Sequence, residues 1–153
     1  MPPDARPLRL CVRRQAGADG RAARVWVRVP SEVAAIEEAV EVLTRHCLAG
    51  APSSASVRFR LQTALAEALA NAVLRGNQSD LRKGVHVAVE LETDVVRVHV
   101  GDEGDGFDPS RMLQRQPVAD ADGGRGLLLL HALADALQYN ERGNALCMTL
   151  RRR

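Results

Sequence analysis

Three short stretches hold residues whose types and spacing could do chemistry together. Glu67 and Asn71 are four apart in a run of helix formers, so on a helix their side chains stack on one face. That face lies beside the apolar stripe of the same helix, at the lip where the helix would meet a sheet. Asp102 follows an alternating run in which Val96, Val98 and Val100 share a face, and parity puts its carboxylate on that same, buried side. A buried ionised carboxylate is expensive unless something donates a hydrogen bond to it. Gly104 and Gly106 then let the backbone turn sharply or let a ligand approach closely. Gly123-Gly124-Arg125-Gly126 precedes the apolar run Leu127–Leu130. Backbone N–H groups freed there point outward at a helix N-terminus, whose dipole favours an anion, and Arg125 can grip phosphate oxygens bidentately.

Each stretch also has a plainer reading. Glu67 and Asn71 fit a surface polar pair worth a few tenths of a kcal/mol. Asp102–Gly106 fits an acidic, glycine-rich hairpin turn, and Gly123–Gly126 fits a hinge into an apolar helix. Taken alone, none of the three decides between ligand site and ordinary structure.

The elements that would position these residues follow from periodicity. Leu8–Arg13 and Val25–Val29 alternate and predict an N-terminal hairpin over about residues 8–29. Pro30 ends it, and Ser31 is an expected N-cap for a helix of about four turns along Val33, Ile36, Val40, Leu43 and Cys47. Gly50-Ala51-Pro52 breaks that helix, and Ser53 or Ser54 can cap a second one, through Val57, Leu61, Ala64, Leu65, Ala68 and Ala72, ending at Gly76-Asn77. Val85–Glu92 and Val95–Asp102 predict an antiparallel pair. A lid over about residues 107–122 comes next, because a connection of that length in a compact domain is more often functional than passive. A helix continuing to Leu137 follows, then a closing hairpin of Tyr139–Asn140 and Ala145–Leu150 around Gly143-Asn144. The order predicts an α+β fold, a two-layer sandwich with helices on one face of a mostly antiparallel sheet.

Bulk properties narrow the function classes. At 153 residues the chain reads as a single domain, residues 1–153, with a core large enough to need no staples. Lys and Arg total 21 against 19 Asp and Glu, a near-cancellation that creates no field suggesting direct nucleic-acid binding. Cys11, Cys47 and Cys147 are read as buried small hydrophobes in a reducing compartment. His46, His86, His99 and His131 have no metal-site spacing. No signal peptide is evident, and no apolar run approaches the ~20 residues of a membrane span, so the expectation is cytoplasmic, without membrane contact.

Together and in this order, the three stretches are far more specific than any one. Glu67-Ala68-Leu69-Ala70-Asn71-Ala72-Val73, Asp102-Glu103-Gly104-Asp105-Gly106-Phe107-Asp108 and Gly123-Gly124-Arg125-Gly126-Leu127 resemble the GHKL ATPase superfamily, which includes gyrase-type and MutL-type ATPases and histidine-kinase catalytic domains. The sequence looks most like the branch of anti-sigma-factor serine/threonine kinases of the RsbW and SpoIIAB type, over about Val25 to Leu150. The resemblance implies the Bergerat ATP-binding fold, with ATP and Mg²⁺ as cofactors. Asn71 would hold the Mg²⁺, and Asp102 would accept a hydrogen bond from the adenine amino group. Gly104 and Gly106 would let the base lie against the backbone. Gly123, Gly124, Arg125 and Gly126 would line the triphosphate beneath the lid, and Glu67 would be the general base on the attacking hydroxyl. The chain departs from the family in having Arg75 where His is common and Leu128 where Phe is common.

The implied function is an anti-sigma factor. It would sequester a sigma factor and phosphorylate a Ser or Thr of an antagonist, or anti-anti-sigma, protein; a homodimer is a further expectation. Two alternatives are an ATP-dependent binding module without phosphotransfer and the catalytic domain of a split histidine kinase. Retention of Glu67 argues against the first, and the lack of length for a dimerising helical hairpin argues against the second.

Overall fold

The valine alternation that runs through the middle of the chain builds the sheet. The computed structural model describes residues 10–18, 22–48, 55–106 and 124–152. Its strands are β1 (Cys11–Ala16), β2 (Ala22–Pro30), β3 (Gly84–Leu91), β4 (Val95–Gly101), β5 (Ala136–Tyr139) and β6 (Ala145–Arg151). They form a six-stranded sheet in the order β1-β2-β3-β4-β6-β5, antiparallel at every pairing. Register aligns the apolar residues in ladders across the strands. Val25, Val89, Val98 and Met148 make one ladder, and Val27, Val87, Val100 and Leu146 the next. All eight are buried, whereas Arg24, Trp26 and Arg28 on the opposite face of β2 are exposed. Fully burying each Val or Leu contributes about 1.5–3 kcal/mol, which makes these ladders the main stabilising feature.

The helices cover the apolar face: α1 (Val33–Leu48), α2 (Ala55–Ala70) and α3 (Gly124–Leu133). Between α2 and β3 the chain continues as a π-helical turn, Asn71–Gly76. α1 packs on α2 and β2, and α2 packs on α3. The fold is therefore the α+β sandwich expected, with the N-terminal hairpin, both central strands and the closing hairpin in place. No helix among the described residues is long and apolar enough to cross a membrane.

Four local expectations are corrected. The buried stripe of α1 is Ala35, Ala39, Leu43 and Cys47, with Ile36 and Val40 half-buried and Val33 58 % exposed. Ser31 is no N-cap: its hydroxyl donates to the Lys83 carbonyl at 2.7 Å and accepts from Asn77 Nδ2 at 2.8 Å. Cys11 is exposed, while Cys47 is buried, with its thiol pushed up to about 12 by burial, and Cys147 is half-buried. The last helix stops at Leu133 instead of continuing to Leu137, which lies in β5 opposite Met148. The expected caps at Ser53 or Ser54, the break at Gly50–Pro52 and the lid at 107–122 lie outside the described residues.

The early end of α3 has a visible cause. Arg60 of α2 donates to the Leu133 carbonyl at 3.1 and 3.2 Å and to the Asp135 carboxylate at 2.8 Å. The same carboxylate accepts from the Arg151 amide at 2.6 Å, fixing the chain in strand geometry beside β6. These bonds hold the Asp135 carboxyl below the usual carboxylate range, the Arg151 amide contributing most. Arg60→Ala is expected to cost about 1–2 kcal/mol, or about 2–8 °C in Tm. A depressed carboxyl contributes stability above its unfolded pKa and loses it as pH falls through the folded one. The gap between wild type and Arg60→Ala, read by thermal melts, should therefore narrow below about pH 4.

Candidate functional site

Helix α2 delivers Glu67, and the π-turn that continues it begins with Asn71 and decides what lies beside both. From Asn71 the winding loosens, so that the Asn77 amide donates to the Ala72 carbonyl, five residues back, at 2.8 Å. In such a turn residues five apart share a face. Asn71 and Gly76 accordingly both line one pocket, with Arg75 between them in sequence also on its wall. Glu67 stands one α-turn earlier, at the contact between α2 and α3. A Cβ built on Gly126 would lie 2.9 Å from Glu67 Oε2 and 3.4 and 3.5 Å from the two polar atoms of the Asn71 amide. The glycine thus lets the first turn of α3 lie flush against both side chains. The first four N–H groups of α3 have no partner within the helix, and its dipole adds partial positive charge there.

At the other end of the pocket the chain leaves β4 at Gly101. The Asp102 amide donates to the Asn144 carbonyl at 2.8 Å, and Asp102 Oδ1 accepts from the Gly104 amide at 2.8 Å. The Asp102 carboxylate occupies the space that a side chain on Gly76 would need, and the Gly76 carbonyl occupies the space beside Gly104. Gly106 has φ of 83° and lies against the Arg142 carbonyl. Both glycines of the turn are therefore required by contacts of the chain with itself. Burial pushes the Asp102 carboxyl above its ordinary value, opposed by the Gly104 amide and by the charges of Lys83 and Arg142.

The pocket between these ends has a volume of about 290 Å³ and is closed on the third side by Tyr139 and Asn144 of the β5–β6 hairpin. Of the expected site residues, Asn71, Asp102 and Gly106 line it. Glu67 and Gly126 meet each other beside it, and Gly104 is buried beneath its floor. Gly124 and Arg125 lie with Gly126 in the first turn of α3, so these glycines open the helix from inside it. Gly123, like the lid, lies outside the described residues. Sequence reasoning missed Gly76 and Asn144, which had only the signals of a helix stop and a hairpin turn, and Lys83, which carried no signal. A larger concavity of about 620 Å³ lies on the helix-free sheet face, near Trp26, His86 and His99, and none of the expected site residues lines it.

The set pairs an acceptor for a donor group at one end with groups suited to an anion and its counter-cation at the other. A half-buried carboxylate lies at one end, and an amide oxygen, a carboxylate and a helix N-terminus lie at the other. Two substitutions check this description of the floor. Gly76→Ala places a methyl group against the Asp102 carboxylate and is expected to cost about 1–3 kcal/mol by denaturant unfolding. Asp102→Asn goes the other way. A group with a raised folded pKa contributes its stability at low pH and loses it as pH rises through that pKa, so at pH 7 the neutral amide should raise Tm.

Comparison with known proteins agrees with this geometry. None of the curated proteins matches the chain significantly. The family model described as the histidine kinase-like ATPase domain matches residues 29–150, which take in α2, the floor at Asp102–Gly106 and the start of α3. On that match, with the α+β sandwich and the three motifs assembled beside one pocket, the chain belongs to the histidine kinase-like ATPase domain family of the GHKL superfamily.

Proposed function

We propose that this chain binds ATP with Mg²⁺ between Asn71 and Asp102 and acts as an anti-sigma factor with serine/threonine kinase activity. Its phospho-acceptor would be a Ser or Thr of an antagonist protein, and its second partner a sigma factor. The observation that supports this reading best is the seat of Gly126 against Glu67 and Asn71, which puts a candidate base, a candidate metal ligand and a helix N-terminus together. Bound MgATP supplies an activated phosphoryl group whose charge the metal partly neutralises. Asp102 would select the base by accepting a hydrogen bond from it, and the Asn71 amide oxygen would hold the metal. The free N–H groups in the first turn of α3 would bind the phosphates. Glu67 takes the proton of the attacking hydroxyl onto its carboxylate, a role worth about 10²–10⁴-fold in rate.

A second reading keeps the nucleotide and drops the chemistry: an ATP-dependent binding module. One observation favours it, since Glu67 meets Gly126 beside the pocket and is not among the residues lining it.

Two measurements separate the readings. MgATP at 100 times its Kd should stabilise the wild type by about 2.7 kcal/mol, seen as a rise in Tm. Asn71→Ala should lose most of that rise, and an equal rise in the variant would remove Asn71 from the site. In a transfer assay from labelled ATP to candidate antagonist proteins, Glu67→Gln should slow labelling by about 10²–10⁴-fold while keeping the Tm rise. Binding without transfer to any partner would establish the second reading.

A further inference from the structure

Asn77 lies just past the π-turn, fully buried, and its side chain does not face the pocket. Its Nδ2 donates to Ser31 Oγ at 2.8 Å and to the Gly84 carbonyl at 3.0 Å. Its Oδ1 accepts from the Glu103 amide at 2.8 Å. The Glu103 carboxylate in turn accepts from the Gly84 amide. Asn77, Gly84 and Glu103 therefore close a ring of three hydrogen bonds, and Ser31 extends it to the Lys83 carbonyl at 2.7 Å. Only a side-chain amide can serve two acceptors and one donor from this position, since a carboxylate lacks the donors and a hydroxyl has just one.

The ring holds the two segments that flank the base end of the pocket. Glu103 follows Asp102, and Gly84 follows Lys83, whose charge acts on the Asp102 carboxyl. Both are tied to the residue that follows Gly76, over which that carboxylate packs. We propose that Asn77 is a positioning residue for recognition of the nucleotide base: it fixes the Asp102 carboxylate relative to the π-turn without touching the ligand. This rests on the nucleotide reading above and adds to it the device that presents its base-recognising group.

The test compares MgATP with magnesium tripolyphosphate, which lacks base and sugar, on the full chain. Asn77→Ala opens the ring, whereas Ser31→Ala removes the buried link on the far side and leaves the ring intact. Both should lower Tm. Asn77→Ala alone should reduce the ratio of ATP to tripolyphosphate affinity, by about tenfold for the loss of one well-made hydrogen bond to the base. A ratio unchanged in Asn77→Ala, or reduced as much in Ser31→Ala, overturns the proposal. If Asn77→Ala does not fold, amide exchange in the wild type decides. MgATP should slow exchange at Glu103 and Gly84 and magnesium tripolyphosphate should not, because binding and ring closure are reciprocally coupled. Equal protection by both ligands, or by neither, overturns it. Absence of binding of either ligand to the unmutated chain overturns the nucleotide reading itself, and the proposal with it.

Discussion

The space that side chains on Gly76 and Gly104 would need is filled, respectively, by the Asp102 carboxylate and the Gly76 carbonyl. This interlock of a helix end with a strand end is the constraint on which the rest of the site depends. It brings the end of the π-turn and the end of β4 closer than any residue with a Cβ would allow. Asn71 of the π-turn and Asp102 just past β4 both line the pocket beside this junction. The apolar ladders of the sheet supply most of the stability, but they would tolerate many arrangements of the turn above them. The glycines tolerate one.

Polar groups then make that arrangement specific at some expense in stability. The Asp102 carboxylate is held where burial disfavours its charge, and the Gly104 amide donates a hydrogen bond to it. A carboxylate placed so is costly in the fold and useful in a site. The same logic applies across the groove. Gly126 forgoes a side chain so that a helix N-terminus can reach Glu67 and Asn71. On the far wall, Asn140 Oδ1 accepts from the amides of Gly143, Asn144 and Ala145, shaping the hairpin that closes the pocket. A buried asparagine, Asn77, and an exposed one, Asn140, thus shape the backbone on two sides, where longer apolar side chains could only fill space.

Much of this was legible in the sequence. Strict alternation in Val25–Val29, Val85–Leu91 and Val96–Val100 left one way to face a core, and the structure pairs the last two antiparallel as expected, while the pairing of β2 with β3 had no sequence signal. The spacing of Glu67 and Asn71 placed Glu67 on α2 as expected, while Asn71 opens the π-turn that follows, and the parity of Asp102 put its half-buried carboxylate on the pocket side. Errors arose where a distant residue outbid a local preference. Ser31 has the sequence context of an N-cap, yet its hydroxyl serves Lys83 and Asn77, 52 and 46 residues away. Leu137 continues a run of good helix formers, yet Arg60, 73 residues before Leu133, ends the helix there.

By itself, the sequence determined the α+β class, the sheet's inward face and the identity of the groups at the three motifs. Those properties depend on period and residue type, which the chain carries locally. Only the tertiary structure decided how the motifs meet. The π-turn that puts Asn71 and Gly76 on one face is a change of winding with no local sequence signal. The glycines at 76 and 104 are explained by atoms on the other segment, and Gly126 by atoms on another helix. Asn77 reads in sequence as a helix stop and is in the fold a buried junction of three segments, because hydrogen bonds across the chain depend on which backbones folding brings within 3 Å.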